Sequence, residues 1–362
     1  MKRILLLSGY DAKSHRYWRQ HLVHQIPEYH WTVLALKDRH FSWRMGGNAL
    51  NFATDHEHAL NQSYDLIFAT SMTDLCGIFG LFPKLAQIPS LLYFHENQMA
   101  YPASKAQPDV IHYQLNSIKS AIAAKQLIFN TPYNQETFLT GVNKFEQMVP
   151  DGFPRQLSQQ LGQKSHVIPV PLTEDCFGQN NKASKDKHTP LTVTWNHRWE
   201  YDKGPDTLLK VLELCQQESL NIKFNIIGQQ FRQTPDAFKK IQTSHSGQIS
   251  HWGYVDKRSD YLRILRQSNV VLSTAHHEFQ GLAVMEAIAQ GCVPLLPARL
   301  AYPNYCPKAY LYDSQMHSPV IEAQSITKRL KKWQHKLPES PDVSAYDWTH
   351  LKPLYQDIII NN

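Results

Sequence analysis

The sequence predicts an α/β protein made of two similar halves, and three observations carry this prediction. Short apolar runs of strand length alternate with helical stretches along the 362 residues, which is typical of parallel sheets with right-handed crossovers. The alternation stops once, in the polar stretch 178–190, and then restarts. A chain of this length is also expected to form two domains. We therefore predict a Rossmann-like domain over 1–177, a linker over 178–190 and a second Rossmann-like domain over 191–345.

The predicted elements follow the apolar runs in order. The first run starts directly after the basic N-terminus and is too short for a signal peptide, so it is expected to form the first strand. Strands of the first domain are predicted at 4–7, 33–36, 66–69, 91–94, 127–129 and 167–170, with helices at 15–26 and 112–125. Strands of the second domain are predicted at 192–195, 224–227, 249–252, 270–272 and 293–296, with helices at 207–215, 260–267 and 282–290. A last helix within 346–362 is expected to pack back on the first domain.

The composition is that of a globular chain with a mild basic excess. Hydrophobic residues make up 42%, and the formal charge of +6 does not by itself indicate a nucleic-acid partner. The five cysteines form no CxxC pair, so we expect buried, reduced thiols in a cytoplasmic protein and no metal framework. No apolar stretch approaches the length of a membrane span, and no stable membrane association is expected.

The stretch 273–291 carries the clearest chemical signal. It reads as the end of a buried strand, a polar turn that contains Glu278 and ends at Gly281, and a helix that contains Glu286. Ligands of open α/β sheets bind at this edge, and the amides at a helix N-terminus can receive an anion. The alternative is one solvated glutamate and one favoured by the helix dipole. The strand–turn–helix context favours a site for a phosphorylated, hydroxyl-rich ligand such as a nucleotide-sugar.

Two loops of the first domain are candidates for ligand contacts. Gly9, Ser14 and His15 follow the first strand, where an ordinary turn and an acceptor-site loop both remain open. The fingerprint GxGxxG is absent there, which disfavours a dinucleotide-dependent dehydrogenase. The polar run 95–98 follows the fourth strand and suits hydrogen bonding to a ligand. For His95 the alternative is a histidine at the edge of the core that bonds the backbone.

The loop 195–204 opens the second domain with two cations. Arg198 and Lys203 can clamp a diphosphate and stabilise its charge as it leaves. The alternative is a basic surface loop, but the flanking aromatic residues indicate that this loop is partly buried.

Several separate stretches resemble one family. Glu278, Gly281 and Glu286 form the EX7E pattern of retaining GT-B glycosyltransferases, and Arg198 and Lys203 match the diphosphate-binding pair of that class. The stretch 251–291 resembles the whole donor-side block of the fold. A closer resemblance, to the tRNA-queuosine mannosyltransferases, extends through nearly the whole chain. The stretches that carry it are FSWRMGGNALNFA at 41–53, LLYFHENQMAYP at 91–102, FNTPYNQETFL at 129–139 and WNHRWEYDKGPDTLLKVL at 195–212, and the second and fourth of them are distinctive.

The resemblance implies a GT-B fold, with two Rossmann-like domains facing across a cleft, and a cytoplasmic enzyme. Such an enzyme would transfer mannose from GDP-mannose, with retention of configuration, to the cyclopentene-diol of queuosine in the anticodon loop of tRNA-Asp. The catalytic set it implies is His95 beside the reacting sugar, Arg198 and Lys203 on the diphosphate, and Glu278 on the sugar hydroxyls. The donor-binding set is Gly253, Phe279, Gly281, Leu282 and Glu286, the last on the nucleotide ribose. The acceptor-binding set is Gly9, Ser14, His15, Asn97 and Gln98.

No cofactor or metal is expected, because no acidic metal-binding motif is evident and the two cations can neutralise the leaving diphosphate. Two other functions remain open. One is the same chemistry on a lipid or polysaccharide, for which the basic, aromatic helix 15–26 would touch a membrane surface. The other is non-catalytic binding of a nucleotide-sugar or tRNA. A tRNA acceptor would need basic contacts and stacking residues. The candidates are Lys13, Arg16, Arg19, Arg44, Lys105, Lys119, Trp43 and Tyr101.

Overall fold

The computed structural model describes residues 1–100, 110–149, 151–177 and 189–362. They form two compact units, Met1–Pro171 with Trp348–Asn362 and Leu172–Asp347. Each unit is built on one six-stranded sheet whose strand pairs are all parallel. The predicted α/β class with two parallel sheets is therefore confirmed. Residues 178–188 of the expected linker lie outside the described part of the chain.

The sheet of the first unit has the order β2-β1-β3-β4-β5-β6. Its strands are β1 (Arg3–Ser8), β2 (His30–Ala35), β3 (Leu66–Thr70), β4 (Ser90–Phe94), β5 (Gln126–Phe129) and β6 (Ser165–Val167). The helices of this unit are α1 (Lys13–Gln25), α2 (Phe41–Leu60), α3 (Leu75–Leu81), α4 (Val110–Ala123), α5 (Pro132–Met148), α6 (Leu157–Gln163) and, at the end of the chain, α13 (Trp348–Ile360). The inner strands are continuous apolar runs because helices cover both faces of a parallel sheet.

Most predicted elements differ from the observed ones by one to three residues at an end. Two of these differences, and the difference at one domain boundary, have a clear local reason. The strand expected at 167–170 pairs with β5 only from Ser165 to Val167, because Pro169 follows at once and has no N–H for a ladder. The last helix begins at Trp348 and not at 346, since Ser344–Tyr346 form a separate 3-10 turn. The first unit ends at Pro171 and not at 177, because the buried side chain of Leu172 belongs to a hydrophobic core of the second unit.

The C-terminal helix α13 is tied to the core of the first unit by one tyrosine. The hydroxyl of Tyr355 accepts a hydrogen bond from Trp18 Nε1 at 3.0 Å and donates to the carbonyl of Pro169 at 2.9 Å. Its ring lies 6.2 Å from that of Tyr93. All three aromatic side chains are fully buried, so the helix completes the hydrophobic core on one face of the sheet.

The sheet of the second unit has the order β12-β11-β10-β7-β8-β9. Its strands are β7 (Leu191–Trp195), β8 (Ile222–Ile227), β9 (Ile249–Gly253), β10 (Val270–Leu272), β11 (Val293–Pro297) and β12 (Leu311–Tyr312). Its helices are α7 (Pro205–Gln217), α8 (Asp236–Ser244), α9 (Arg258–Gln267), α10 (Leu282–Ala289), α11 (Tyr302–Tyr305) and α12 (Pro319–His335). Within the described residues, no helix is both long and apolar enough to cross a membrane.

Close backbone contacts bring the loops after β7, β8 and β10 together at the carboxyl edge of this sheet. Gly204 has a positive φ of 64°, and a Cβ there would lie 2.1 Å from the carbonyl oxygen of Thr274. A Cβ on Gly228 would lie 1.8 Å from the carbonyl oxygen of His197. Only glycine fits at these two points. The side chains of the three loops are thereby held against one another, and they form the candidate active site of the second unit.

Candidate active site

A buried lysine lies at the centre of the site. Lys203 closes a short 3-10 turn, Tyr201–Lys203, and only 8% of its side chain is exposed. Its Nζ donates to the carbonyl of His277 at 2.7 Å and lies 3.3 Å from Glu278 Oε2 and 3.1 Å from Asp202 Oδ2. The two carboxylates outweigh burial and raise the pKa of Lys203. The site therefore holds a permanent positive charge in surroundings that contain little water.

Glu278 is kept ionised by the same contact. Burial alone would raise the pKa of this carboxyl, but the adjacent ammonium of Lys203 holds it at about 2. One carboxylate oxygen faces Lys203, and the other accepts the backbone N–H of Phe279 at 3.2 Å. A carboxylate with so low a pKa is a poor proton acceptor near neutral pH. Glu278 is therefore suited to positioning and to accepting hydrogen bonds from hydroxyls, as the sequence analysis assumed.

Two neutral histidines surround the pair. Burial and the nearby Lys203 lower the pKa of His197 and of His277 to about 4. Both side chains are buried, so their rings add hydrogen-bonding groups to the site without adding charge. Sequence reasoning gave neither of them a role, although both stand within stretches that it singled out.

The expected pair of cations is not free. Arg198, with 48% of its side chain exposed, bonds Glu200 Oε2 at 2.9 Å and lies 3.9 Å from Asp202. Together with Lys203 and Glu278, these five side chains hold two positive and three negative charges. A bound diphosphate must therefore draw Arg198 away from Glu200 or use backbone amides as well. The expectation that the loop is partly buried holds for its flanking aromatics, since Trp195 and Trp199 are buried.

Four further donor-site candidates lie on the loops and helix around the pair. Gly281 is the N-cap of α10 with a φ of 83°, and a Cβ there would lie 3.0 Å from the hydroxyl of Tyr305. Leu282 is the half-buried first residue of α10, and Phe279 is buried. Gly253 ends β9 with a φ of 96°. These positions agree with a site at the carboxyl edge, while contact with a donor stays a prediction for each of them.

Glu286, the second carboxylate of the EX7E pattern, is paired with an arginine from α9. Its Oε1 lies 2.6 Å from Arg258 Nη1, and its Oε2 accepts the hydroxyl of Tyr261 at 2.9 Å. Arg258 also bonds Asp175 Oδ2 at 3.0 Å. The expected bond to a ribose therefore requires Glu286 to exchange or share a partner. Sequence reasoning missed Arg258, although it stands within the stretch 251–291.

In the first unit, two histidine rings are stacked in the core. The rings of His15 and His95 lie 4.2 Å apart, and both are buried. Burial lowers the pKa of both groups. Glu96 Oε1 lies 3.7 Å from His15 Nε2. His95 Nε2 has no hydrogen-bond partner within the described residues. The role expected for His95 beside the reacting sugar stays a prediction.

The other acceptor-site candidates differ in whether their polar groups are already bonded within the protein. Asn97 donates to the carbonyl and the side-chain oxygen of Asn134, at 3.1 and 2.8 Å, and its Oδ1 accepts two backbone N–H groups at 3.0 Å. Its amide is therefore used by the fold, and the expectation that it recognises acceptor hydroxyls is not supported. Gln98 is buried with Nε2 3.8 Å from Met72 Sδ. Ser14 is exposed at the start of α1, and Gly9 donates to Thr73 Oγ1 at 3.1 Å.

Several of the basic residues expected to contact tRNA are engaged by the protein itself. Arg16 and Arg19 both bond Asp11, at 3.1 and 2.9 Å. Arg44 is 8% exposed and donates to Asn51 at 2.5 Å, so the proposal that it contacts phosphate was wrong. Trp18 of α1 is in the core, so Tyr17 is the one aromatic residue of this helix left partly exposed for the membrane-contact alternative. Lys105 and Tyr101 lie outside the described residues.

The remaining candidates for tRNA contact are exposed to solvent. Lys13 and Lys119 are exposed, and the indole of Trp43 is 53% exposed. Among the residues that the structure describes, no group of three or more histidine, cysteine, aspartate or glutamate side chains could hold a metal ion. Whether the reaction needs a metal stays a prediction.

The two six-stranded parallel sheets, with the Lys203–Glu278 pair at the carboxyl edge of the second, agree with the GT-B class of fold. Solved structures agree on the fold. Sucrose-phosphate synthase from Thermosynechococcus elongatus is 15% identical with a TM-score of 0.65, and the match covers 100% of both chains. The N-terminal domain of trehalose-6-phosphate phosphatase from Candida albicans is 10% identical with a TM-score of 0.70, over 100% of this chain and 97% of that one.

Sequence comparison narrows the class. Residues 3–172 match the family model described as tRNA-queuosine alpha-mannosyltransferase N-terminal, and residues 178–336 match that of glycosyl transferases group 1. A protein of Drosophila melanogaster named tRNA-queuosine alpha-mannosyltransferase is 29% identical over 374 residues, which span 98% of this chain and 96% of that protein. The chain is therefore similar to the tRNA-queuosine alpha-mannosyltransferases through nearly its whole length. The predicted resemblance and the assignment as a glycosyltransferase are confirmed.

Proposed function

We propose that the protein transfers mannose from GDP-mannose to queuosine in the anticodon loop of tRNA-Asp, with retention of the anomeric configuration. The observation that carries this proposal is the similarity to the Drosophila protein, which runs through both units and not only through the donor side. The first unit is proposed to bind the acceptor, because it matches the model specific to this family. Such an enzyme would meet its tRNA in the cytoplasm.

The geometry of the second unit supports a glycosyl transfer without a protein nucleophile. The bond between the anomeric carbon and the donor phosphate oxygen breaks, and the acceptor oxygen bonds to the same face of that carbon. The proton of the acceptor hydroxyl passes to the departing phosphate oxygen. Lys203 stabilises the charge that develops on the diphosphate, because it is cationic and fixed by three partners. Glu278 is proposed to hold the donor sugar through its hydroxyls and to fix the position of Lys203.

The donor is tested with a panel of nucleotide-sugars. The purified protein is incubated with total tRNA from cells that contain or lack queuosine, and the digested nucleosides are analysed by mass spectrometry. GDP-mannose is expected to add one hexose to queuosine only, whereas UDP-glucose and GDP-fucose should add nothing. Transfer from another donor in preference to GDP-mannose would contradict the assignment of the donor, and transfer that does not require queuosine would contradict that of the acceptor.

A further inference from the structure

A cavity of about 310 Å³ opens in the first unit, between α2, α4 and the turn that precedes α3. Ligand pockets have volumes of about 300–1,000 Å³, so this one has room for a single small ligand such as one nucleoside. Its lining residues come from all three elements, and none of them belongs to the loops after β1 and β4 that sequence reasoning favoured for the acceptor.

The cavity lies beside the point where the strand order of the sheet reverses. In the order β2-β1-β3, the connections leave β1 and β3 in opposite directions, and ligands of open α/β sheets bind at this point. Asp74 follows β3 by four residues. Its backbone N–H donates to Asn48 Oδ1 of α2 at 2.9 Å, and Gly9 after β1 donates to Thr73 Oγ1 at 3.1 Å. The edge beside β1 and β3 is thus closed by the protein, and the open space lies beside it, over α2 and α4.

One side of the cavity is apolar and aromatic. Met45 and Tyr113 line it and are 1% and 5% exposed. Together with Met72 they form a small hydrophobic cluster of their own. Phe41 packs edge-on against Tyr113, with ring centroids 5.6 Å apart. A flat heterocycle can pack against a surface of this kind, since stacking and thioether contacts do not depend on its exact substituents.

Asn116 and Asp74 bring hydrogen-bond acceptors to the cavity, which Ser42, His112 and Lys119 also line. Asn116 is 6% exposed; its Nδ2 donates to the carbonyl of Met45 at 3.1 Å, and its Oδ1 has no hydrogen-bond partner in the described part of the chain. The carboxylate of Asp74 is fixed by the N–H of Gly77 at 2.9 Å. A guanine-type base presents N–H donors along one edge, and a diol presents O–H donors. Lys119 is exposed at the rim, where a phosphate would find it.

We propose that this cavity receives the acceptor nucleoside, a modified guanine-type base, after the base has left the stack of the anticodon loop. Enzymes that act on a base take it out of the stack into a fitted pocket. Met45 and Tyr113 form the apolar wall against which the base packs, Asn116 and Asp74 accept hydrogen bonds from its donors, and Lys119 contacts the backbone phosphate. This inference rests on the proposed function, because it names the subsite for the acceptor of that reaction.

The glycines of this unit provide a matched test. A Cβ on Gly46, which lines the cavity, would meet no heavy atom within 4 Å, so a large side chain fits there and is expected to fill the cavity. A Cβ on Gly80 of α3 also meets nothing within 4 Å, and Gly80 does not line the cavity. Gly46→Trp and Gly80→Trp therefore place the same side chain on two helices of one unit. Asp74→Asn is a milder third variant, because asparagine can still cap α3.

The measurements are KM for queuosine-containing tRNA and Kd for GDP-mannose. Gly46→Trp should raise KM about tenfold or more with Kd unchanged, and Asp74→Asn should raise KM in the same direction. Gly80→Trp should match the wild type in both. An unchanged KM in Gly46→Trp, or an equal rise in the two tryptophan variants, would overturn the proposal. Wild-type protein that transfers nothing to this tRNA contradicts the proposed function itself, whereas wild-type transfer with an unaffected Gly46→Trp contradicts only this subsite.

Discussion

Replacing Lys203 with methionine removes the central charge of the site while it keeps most of the side-chain volume. The lowered pKa of Glu278 indicates how strongly this ammonium stabilises a neighbouring negative charge. The pKa of Glu278, 3.3 Å away, is about 2 instead of 4.5 even though burial acts in the opposite direction. Lys203 makes the largest contribution to this lowering, with smaller ones from His197 and His277. The difference corresponds to about 3 kcal/mol for these groups together. A diphosphate oxygen that gains charge at a similar distance should be stabilised by a similar amount.

The expected result is that kcat for Lys203→Met falls on the order of a hundredfold or more. The assay is transfer of mannose from GDP-mannose at saturating donor and acceptor, so that the loss appears in kcat. Glu278→Gln should fall by a similar factor, because it removes the partner that fixes the lysine and the proposed acceptor of sugar hydroxyls.

Lys210→Met is the matched control. Lys210 also pairs with a glutamate, Glu213 at 2.7 Å, but its side chain is 41% exposed on α7, away from the loops of the site. This variant should keep kcat within about twofold, since exposed ion pairs contribute little. Activity of Lys203→Met close to that of Lys210→Met would refute the assignment of the lysine, and so would a loss that circular dichroism traces to unfolding.

Three other outcomes follow from the structure. Asn97→Ala should lower the free energy of unfolding of the first unit by about 2–4 kcal/mol, because it leaves buried groups without partners. The control Asn61→Ala, on the exposed end of α2, should lower it by about 0.5 kcal/mol or less. An Asn97→Ala variant that is fully stable but no longer distinguishes queuosine from guanosine would restore a ligand role for Asn97. His197 and His277 have lowered pKa values of about 4, so the stability of the second unit should be complete above pH 6.5 and fall as the pH drops toward 4; urea unfolding against pH should show this, with a shallower slope in His197→Gln, and a flat profile would contradict it. Transfer should persist in excess chelator, and loss that magnesium or manganese restores would show that a metal takes part.

The elements that sequence reasoning located are those in which one local property dominates. The inner strands are continuous apolar runs, and β10 is bounded as predicted, Val270–Leu272. The helix after it begins at Leu282, directly after Gly281, also as predicted. The structure adds that Gly281 has a positive φ. Helix α2 was not assigned, since its glycines and polar residues obscure the helical period, and the burial of Arg44 was missed with it.

The partners within the site depend on contacts that local patterns do not show. Lys203 and Glu278 were each expected in the site, but their ion pair joins loops 75 residues apart. The pairing of Glu286 with Arg258 likewise depends on how α9 packs beside α10. Asn97 was expected to bind a ligand because polar residues at the end of a strand often do so. In this structure its side chain instead bonds the turn after β4 to Asn134 of α5. The positions of these residues in the sequence predicted that they would lie at the edge of the sheet. They did not predict which of them would form ion pairs or hydrogen bonds with one another.

The most direct test of the account uses purified tRNA-Asp with queuosine and the same tRNA with guanosine at that position. Each is incubated with GDP-mannose and either the wild type or Glu278→Gln, and the nucleosides are separated and weighed by mass spectrometry. Only the wild type acting on the queuosine-containing tRNA should yield a nucleoside heavier by one hexose. Equal mannosylation of the two tRNAs, or undiminished transfer by Glu278→Gln, would contradict the proposed function.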